Sequence, residues 1–349
     1  MKNIKNIIMS NRINAKVFSS GREVYIVGGY LRDVLLGEKA KDIDYIVRGD
    51  IKEFALELLM QESGLPGKTK AQNLLDNATI VELKKEQMIR IVLRNEMTLD
   101  FTGLKGKLED NLRERDFTMN ALAWSPKTGV IDPLNGLNDI KKKTIKAISA
   151  ENFMNDPLRL LRVYRFVSEL GWDADPETRN MAKALKEEIK RSAPERITQE
   201  VFKLLNSKNY QQALKMALRD GLLEQLLSMF DKKLSENIKS LSRLETTLKK
   251  LPTKFKPALE KPFSQELTLK GLLRLEQALA GSILSKNRLR LSRHILERLK
   301  VIHELLKTIH YPVFSASKIF DIFFKAKEAA FDFLILSGNI RLLSQLERF

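Results

Sequence analysis

The sequence predicts an α+β protein, a strand-bearing head followed by an elongated helical body, and three observations carry that prediction. Strand-like segments are confined to the first 150 residues, at 23–27, 43–47, about 78–83, 90–94 and 97–102. From Asn152 onward the apolar spacing becomes helical and strand signals nearly vanish. The stretch 250–263, KLPTKFKPALEKPF, carries three prolines and reads as a loop or domain junction.

Within the head, Val24 to Val27 is an apolar run of the kind a buried strand requires. It breaks at Gly28-Gly29 and continues as a helix carrying Arg32 and Asp33. The glycine pair lets backbone approach a phosphate, and the helix that follows offers its first N–H groups to an anion. A second strand places Asp42 and Asp44 in alternate positions. Strand residues two apart share a face and lie roughly 6–7 Å apart. Two carboxylates aimed at one spot repel unless cations lie between them, and hard oxygen ligands suit Mg²⁺ held together with substrate phosphates. Taken singly, the glycines read as a turn and the acids as a solvated edge. Together they describe a metal–triphosphate site.

The combination GGxxRD, followed nine residues on by DxD, resembles the signature of the DNA polymerase β-like nucleotidyltransferases. It is most similar to the class II branch, the tRNA CCA-adding enzymes and bacterial poly(A) polymerases. The resemblance implies a polymerase β-like head, a mixed sheet with helices, over 1–148. A helical neck that selects nucleotides would follow over 149–215, and a helical body and tail that bind tRNA over 216–349.

Further along, Asp110 to Ala123 and Asn135 to Lys141 read as short helices. Leu112 to Ala123, LRERDFTMNALA, brings Arg115, Asp116 and Asn120 within about two helical turns. Arg forks onto phosphates while Asp and Asn read hydroxyls, although the same residues also suit local structural bonds. The segment resembles the family motif RRDFTxNA, with Glu114 where an arginine is usual. Ile131 to Ile140, IDPLNGLNDI, resembles the family's turn between head and neck and reads as structural or as a hinge.

Phe153 to Phe166, FMNDPLRLLRVYRF, sets Asp156, Arg159, Arg162 and Arg165 at intervals of three, one row on a helix face. Pro157 is tolerated early in that helix because its missing N–H has no intrahelical partner there. Such a row also suits surface ion pairs. The segment resembles the family's nucleotide-selecting motif, EDxLRxxRxxRF, with Asn155 in place of Glu. That resemblance implies that Asp156 and Arg159 read the incoming base and that Arg162 and Arg165 grip triphosphate. Cytosine and adenine each present an amine donor beside a ring-nitrogen acceptor. Ionised Asp156 only accepts and Arg159 only donates, so the pair suits C or A and opposes G or U. A misplaced base leaves buried polar groups unpaired, a discrimination on the order of 10⁴. APERITQEVFKLL (193–205) resembles a fifth motif, in which Glu195 and Arg196 brace the neck.

Composition agrees with a polyanionic partner. The 349 residues include 61 Lys+Arg against 44 Asp+Glu, a net charge of +17, which favours nucleic acid. No run of alternating aromatics forms a single-strand stacking platform, so contacts to a folded RNA backbone are expected. KNRLRLSRHILERLK (286–300) sets six basic residues and one acid on helical spacing, a surface suited to tRNA phosphates. His294, His303 and His310 lack acidic or cysteine partners at ligand spacing and read as structural. With no cysteine the chain has neither disulfides nor thiolate chemistry. MKNIKNIIMSNR is no signal peptide and no segment reaches membrane length, so no membrane partner and a cytoplasmic location are expected.

The resemblance therefore implies template-independent addition of C and/or A to a tRNA 3′ end from CTP and ATP. Asp42 and Asp44 would hold two Mg²⁺ ions, one activating the 3′-hydroxyl and one stabilising pyrophosphate. Sites of this family add a third carboxylate on a neighbouring strand, and Asp100 in MTLDF is the candidate. Full CCA addition, partial addition and poly(A) synthesis all remain open, as does a non-catalytic RNA-binding relic, which has no use for paired carboxylates. The G-basic-basic-Phe motif of the poly(A) branch is missing between Val47 and Asp100. Only GLKGK (103–107) separates DFT from LEDNLRERDF, where many CCA-adding relatives carry a flexible loop. Its loss is associated with enzymes that stop after CC. Oligomeric state is not legible.

Overall fold

The computed structural model describes residues 2–39, 42–63, 78–83, 88–93, 97–227, 231–264, 266–282, 287–308 and 316–346. It divides into two compact units, Met1–Asn152 and Phe153–Phe349.

The first unit is built on a seven-stranded sheet in the order β3-β4-β5-β2-β1-β6-β7. Its strands are β1 (Val24–Val27), β2 (Asp42–Val47), β3 (Thr79–Leu83), β4 (Met88–Val92), β5 (Thr98–Gly103), β6 (Ala123–Ser125) and β7 (Gly129–Ile131). Five of these fall where apolar runs predicted them, although Arg94, in the expected 90–94 strand, lies outside the described residues. The hairpin β6–β7 was not expected, because three-residue strands are too short to show a period. All pairings are antiparallel except β2 with β5. That one parallel pair fixes the position of the acids.

Strand β2, DIDYIV, has two faces with different fates. Ile43, Tyr45 and Val47 are fully buried. Tyr45 stacks on Phe101 at 4.9 Å, and Phe54 of α4 (Ile51–Ser63) meets Phe101 edge-on at 5.5 Å. Tyr45 Oη donates to Asn14 Oδ1 at 2.6 Å, tying in α2 (Arg12–Ser19), which follows α1 (Lys2–Ser10). On the other face, Ile46 packs with Val27, Leu104, Leu108, Leu112, Ala121 and Ala123. The helix α5 (Leu108–Arg113) thus covers only the far end of that face, and Asp42 and Asp44 stand beyond it.

The 110–123 segment is not a run of helix, contrary to expectation. After α5 the chain turns, Phe117 bridges Ala147, and a single 3₁₀ turn spans Thr118–Asn120. IDPLNGLNDI, expected as a structural turn or a hinge, forms a turn that opens a helix. Asp132 accepts from the N–H groups of Gly136 and Leu137 at 2.7 and 2.9 Å, opening α6 (Gly136–Lys142). A Cβ on Gly136 would stand 2.1 Å from the Thr118 carbonyl oxygen, so a side chain there has no room.

The helix α7 (Ala150–Asn155) leads into the second unit. Among its described residues this unit is mostly helical, with short strands, and its first helices are α8 (Leu158–Leu170), α9 (Pro176–Ala184), α10 (Pro194–Asn206) and α11 (Tyr210–Arg219). The chain continues through α12 (Leu223–Leu226), α13 (Asp231–Lys249), α14 (Lys256–Leu259), α15 (Leu269–Ala278), α16 (Arg293–Thr308), α17 (Ala316–Ala326) and α18 (Ala330–Leu336). The proline-bearing stretch 250–263 lies inside this unit as short turns rather than at a division between units. Residues 287–292 are irregular, so the basic row expected on helical spacing is helical only from Arg293; Lys286 lies outside the described residues. The side chain of Arg298 in that row, 9% exposed, pairs with Asp332 of α18. His294 stacks on Phe263 at 5.0 Å, His303 titrates below its ordinary range because it is buried, and His310 lies outside the described residues. Among the described residues no helix is long and apolar enough to cross a membrane.

Candidate active site

Strand pairing lines the acids up. In the parallel register Asp44 faces Asp100 and Asp42 faces Thr98, while the antiparallel register of β4 sets Arg90 against Asp100. Directly opposed strand residues share a face. Arg90, Asp100 and Asp44 therefore form one row across three strands, with Asp42 beside it. The Thr98 hydroxyl donates to Asp42 Oδ1 at 2.6 Å. Arg90 donates from Nε and Nη2 to the two oxygens of Asp100, both at 2.7 Å. Burial pushes the Asp44 carboxyl above its ordinary range; the Arg115 guanidinium opposes this, and Asp100 and Asp42 add to it. A carboxylate so crowded is stabilised by added positive charge.

The glycine turn closes over this row. Gly28 has φ of 74°, and a Cβ there would lie 2.8 Å from Arg115 Nη1 and 3.2 Å from Asp44 Oδ2. Only glycine takes both that backbone and that approach without strain. Gly29 begins α3 (Gly29–Leu36), whose Arg32 turns inward and is buried. Arg32 Nη1 donates to Asn120 Oδ1 at 2.8 Å, and its other nitrogens hold Asp33. Asn120 Nδ2 in turn donates to Asp116 Oδ1 at 3.0 Å, which also receives the Phe117 N–H. The motifs around Arg32 and around Arg115 are thus one buried network. Arg32, Asp116 and Asn120, expected at the ligand, form its frame, and Arg115 is the member beside the acids.

In the second unit the expected row of one helix is broken. Asp156 lies between α7 and α8, just before Pro157, which is biased against helix at the preceding residue. Its side chain is clamped by Arg196 of α10, Nη1 to Oδ1 at 3.1 Å and Nη2 to Oδ2 at 2.9 Å. Burial works against the Asp156 charge, but Arg196, aided by Arg159, holds its carboxyl below the ordinary range. Arg162 Nε lies 4.0 Å from Glu200. Arg165, expected to grip triphosphate, is instead buried between Glu200 and Glu169 and lies over the Phe166 ring at 3.8 Å.

Sequence reasoning did not find Arg90, Thr98 or Glu200 as members of these clusters. Arg90 and Thr98 carry a signal only once strand register is known, and Glu200 only once α8 and α10 are paired.

For a divalent ion the donor set is right, since Asp42, Asp44 and Asp100 are hard oxygen ligands on one face. Among the described residues no group of three or more such side chains is arranged to hold a metal by itself. Two carboxylates on β2 suit an ion that brings its remaining ligands with substrate phosphates.

Residues 24–146 match the family model described as "Poly A polymerase head domain", and residues 173–234 match "Probable RNA and SrmB- binding site of polymerase A". Over these two segments the chain is similar to the class II tRNA nucleotidyltransferases. It is similar to the CC-adding tRNA nucleotidyltransferase of Synechocystis sp., at 35% identity over 202 residues, 57% of this chain and 45% of that protein. The CC-adding tRNA nucleotidyltransferase of Shouchella clausii is 31% identical over 222 residues, 62% of this chain and 54% of that protein. The CCA-adding enzyme of Leuconostoc mesenteroides is 31% identical over 226 residues. The chain spans about half the length of these curated relatives. In fold it is similar to the Thermotoga maritima CCA-adding enzyme complexed with tRNA, with a TM-score of 0.71 at 20% identity over 99% of this chain and 85% of that one.

Proposed function

We propose that this chain adds nucleotides to the 3′ end of tRNA, within the class of enzymes that add C and/or A from CTP and ATP, and that it adds two C residues from CTP without the terminal A. The single observation that carries the reading is the acid row of β2 and β5 beneath the Gly28 turn, with Arg115 beside it. Two of the relatives named above are CC-adding enzymes. A second reading, full CCA addition, is favoured by the CCA-adding relative; poly(A) synthesis stands behind both.

In this reading Asp42 and Asp44, with Asp100 as a third carboxylate, hold Mg²⁺. Two such ions held there would supply activation of the 3′-hydroxyl by one and stabilisation of the pyrophosphate leaving group by the other. Gly28 and Gly29 let the backbone approach the triphosphate, and Arg115 supplies positive charge at the same place. Arg32, Asp116 and Asn120 fix the loop that carries Arg115. Asp156 and Arg159 present an acceptor and a donor to C or A, Arg196 aims Asp156, and Arg162 and Arg165 order the helix they share with Arg159. The neck over 149–215 selects nucleotides, and the helices of 216–349 carry tRNA through its backbone. The work is done in the cytoplasm.

The test is extension of a tRNA lacking its 3′ end by the purified chain, with CTP and ATP supplied separately and together. The expected product is two C residues in every mixture that contains CTP. Absence of extension with all nucleotides and Mg²⁺ would contradict the reading.

A further inference from the structure

The acid row ends on a cation that the chain itself supplies. Arg90 forks onto both oxygens of Asp100, and its charged form is favoured first by Asp100 and then, through space, by Asp42 and Asp44. Asp100 is 11% exposed at its side chain, whereas Arg90 is 40% exposed, so the guanidinium stands at the open end of the row. A bidentate fork uses both carboxylate oxygens in the planar geometry that a metal ligand must partly give up. Arg90 and a divalent ion therefore compete for the same carboxylate.

We propose that Arg90 is the resident counter-cation of the metal site: it holds Asp100 until a divalent ion arrives and then keeps only one of its oxygens. This inference rests on the proposed metal role of Asp42 and Asp44. It gives Arg90 two opposed effects. The arginine weakens metal binding to the protein alone, because its charge cancels part of the site's negative field. It also keeps Asp100 aimed along the row towards Asp44, so that the third carboxylate is oriented when nucleotide and metal arrive together. Metal affinity is then set low in the free protein and rises with the triphosphate, whose own oxygens complete the ligand set.

The experiment is direct binding of Mn²⁺ to the full chain, read by the electron paramagnetic resonance signal of the free ion, without nucleotide. Arg90→Gln is expected to bind Mn²⁺ about tenfold tighter than the wild type, a change of about 1.4 kcal/mol. Arg90→Lys, which keeps the charge but not the fork, should stay within about threefold of wild type. In an Asp100→Asn background the Arg90→Gln gain should disappear, as coupling between two partners requires. Arg90→Met gives the same reading if the Gln variant does not fold. Unchanged or weaker Mn²⁺ binding in the uncharged variants, or a gain that persists in the Asp100→Asn background, overturns the counter-cation role. Loss of the Asp42 and Asp44 reading looks different: the wild type itself then binds no Mn²⁺, or binds it equally well as Asp44→Ala.

Discussion

Asp44 and Asp100 stand opposite one another in a parallel strand register, yet each lies beside a different arginine, Arg115 for the first and Arg90 for the second. The arrangement explains how a head of modest size gathers three carboxylates without unfolding. Two fixed cations at the ends of the row offset part of the repulsion, and the proposed divalent ion would offset the rest.

The Gly28 turn is where this geometry is least tolerant. Gly28→Ala would place a methyl 2.8 Å from Arg115 Nη1 on a backbone with φ of 74°. The expected cost is about 1–3 kcal/mol of stability from the backbone. Turnover should fall further, about 10²-fold, because Arg115 must move from the acids. Nucleotide incorporation and thermal melting measured on the same sample check both; wild-type turnover would show that Arg115 has no part in the site.

Much of this was legible in the sequence. The run VYIVGGYLRD placed β1, the turn and α3, and the alternation in DIDYIV placed both acids on one face. Spacing could not tell a ligand from a frame. Arg32, Asp116 and Asn120 look like phosphate and hydroxyl readers, but their contacts depend on α3 meeting the 3₁₀ turn at Thr118–Asn120 across 88 residues of sequence. Arg165 likewise reads as exposed until α10 supplies Glu200. The helix break before Pro157 was readable from the proline itself, since the preceding residue is biased away from helix.

Arg196 gives the second unit a pH signature. Its clamp holds the Asp156 carboxyl below the ordinary range, so Asp156 stays ionised from alkaline pH down past the usual carboxylate value of about 3.9. Preference for C and A over G and U should therefore be flat from about pH 8 to pH 5. In Arg196→Ala the depression is lost, and selectivity should erode at a higher pH than in the wild type. Misincorporation of GTP measured against pH is the check. Identical profiles for the two proteins would remove Arg196 from nucleotide choice.

The exposed basic residues of the second unit offer a test of the proposed tRNA contact. Arg290 and Arg293 are 76% and 92% exposed, and their ion pairs with Glu195 and Glu297 lie in solvent, where such pairs are weak. Replacing both with Glu should weaken tRNA binding. It should also lower the slope of log affinity against log salt by somewhat under one unit for each phosphate that is no longer neutralised. A salt titration by filter binding shows it, and an unchanged slope would take these two residues off the tRNA surface.

The GLKGK connector is where the proposed CC addition can be told from full CCA addition. Leu104 is buried against Leu108 and Leu112, and its N–H donates to the Val47 carbonyl at 2.7 Å. Arg48 donates to the Gly106 carbonyl at 3.3 Å, so the connector is tied down on both sides. A connector so held has no length to act as a lever when the pocket must re-form around ATP. A tRNA ending in CC, given ATP alone, should remain unextended. Efficient A addition would leave the family assignment intact and replace CC addition with full CCA addition.

The most direct test of the central claim is Asp44→Ala measured in two assays at once, nucleotide incorporation and tRNA affinity. The acids are proposed to act on metal and triphosphate, not on RNA. Incorporation should therefore fall below detection in Mg²⁺ while the tRNA dissociation constant stays within about threefold of wild type, a change under about 1 kcal/mol. Incorporation at the wild-type rate by Asp44→Ala, or by Asp42→Ala, would contradict the assignment of β2 as the catalytic strand.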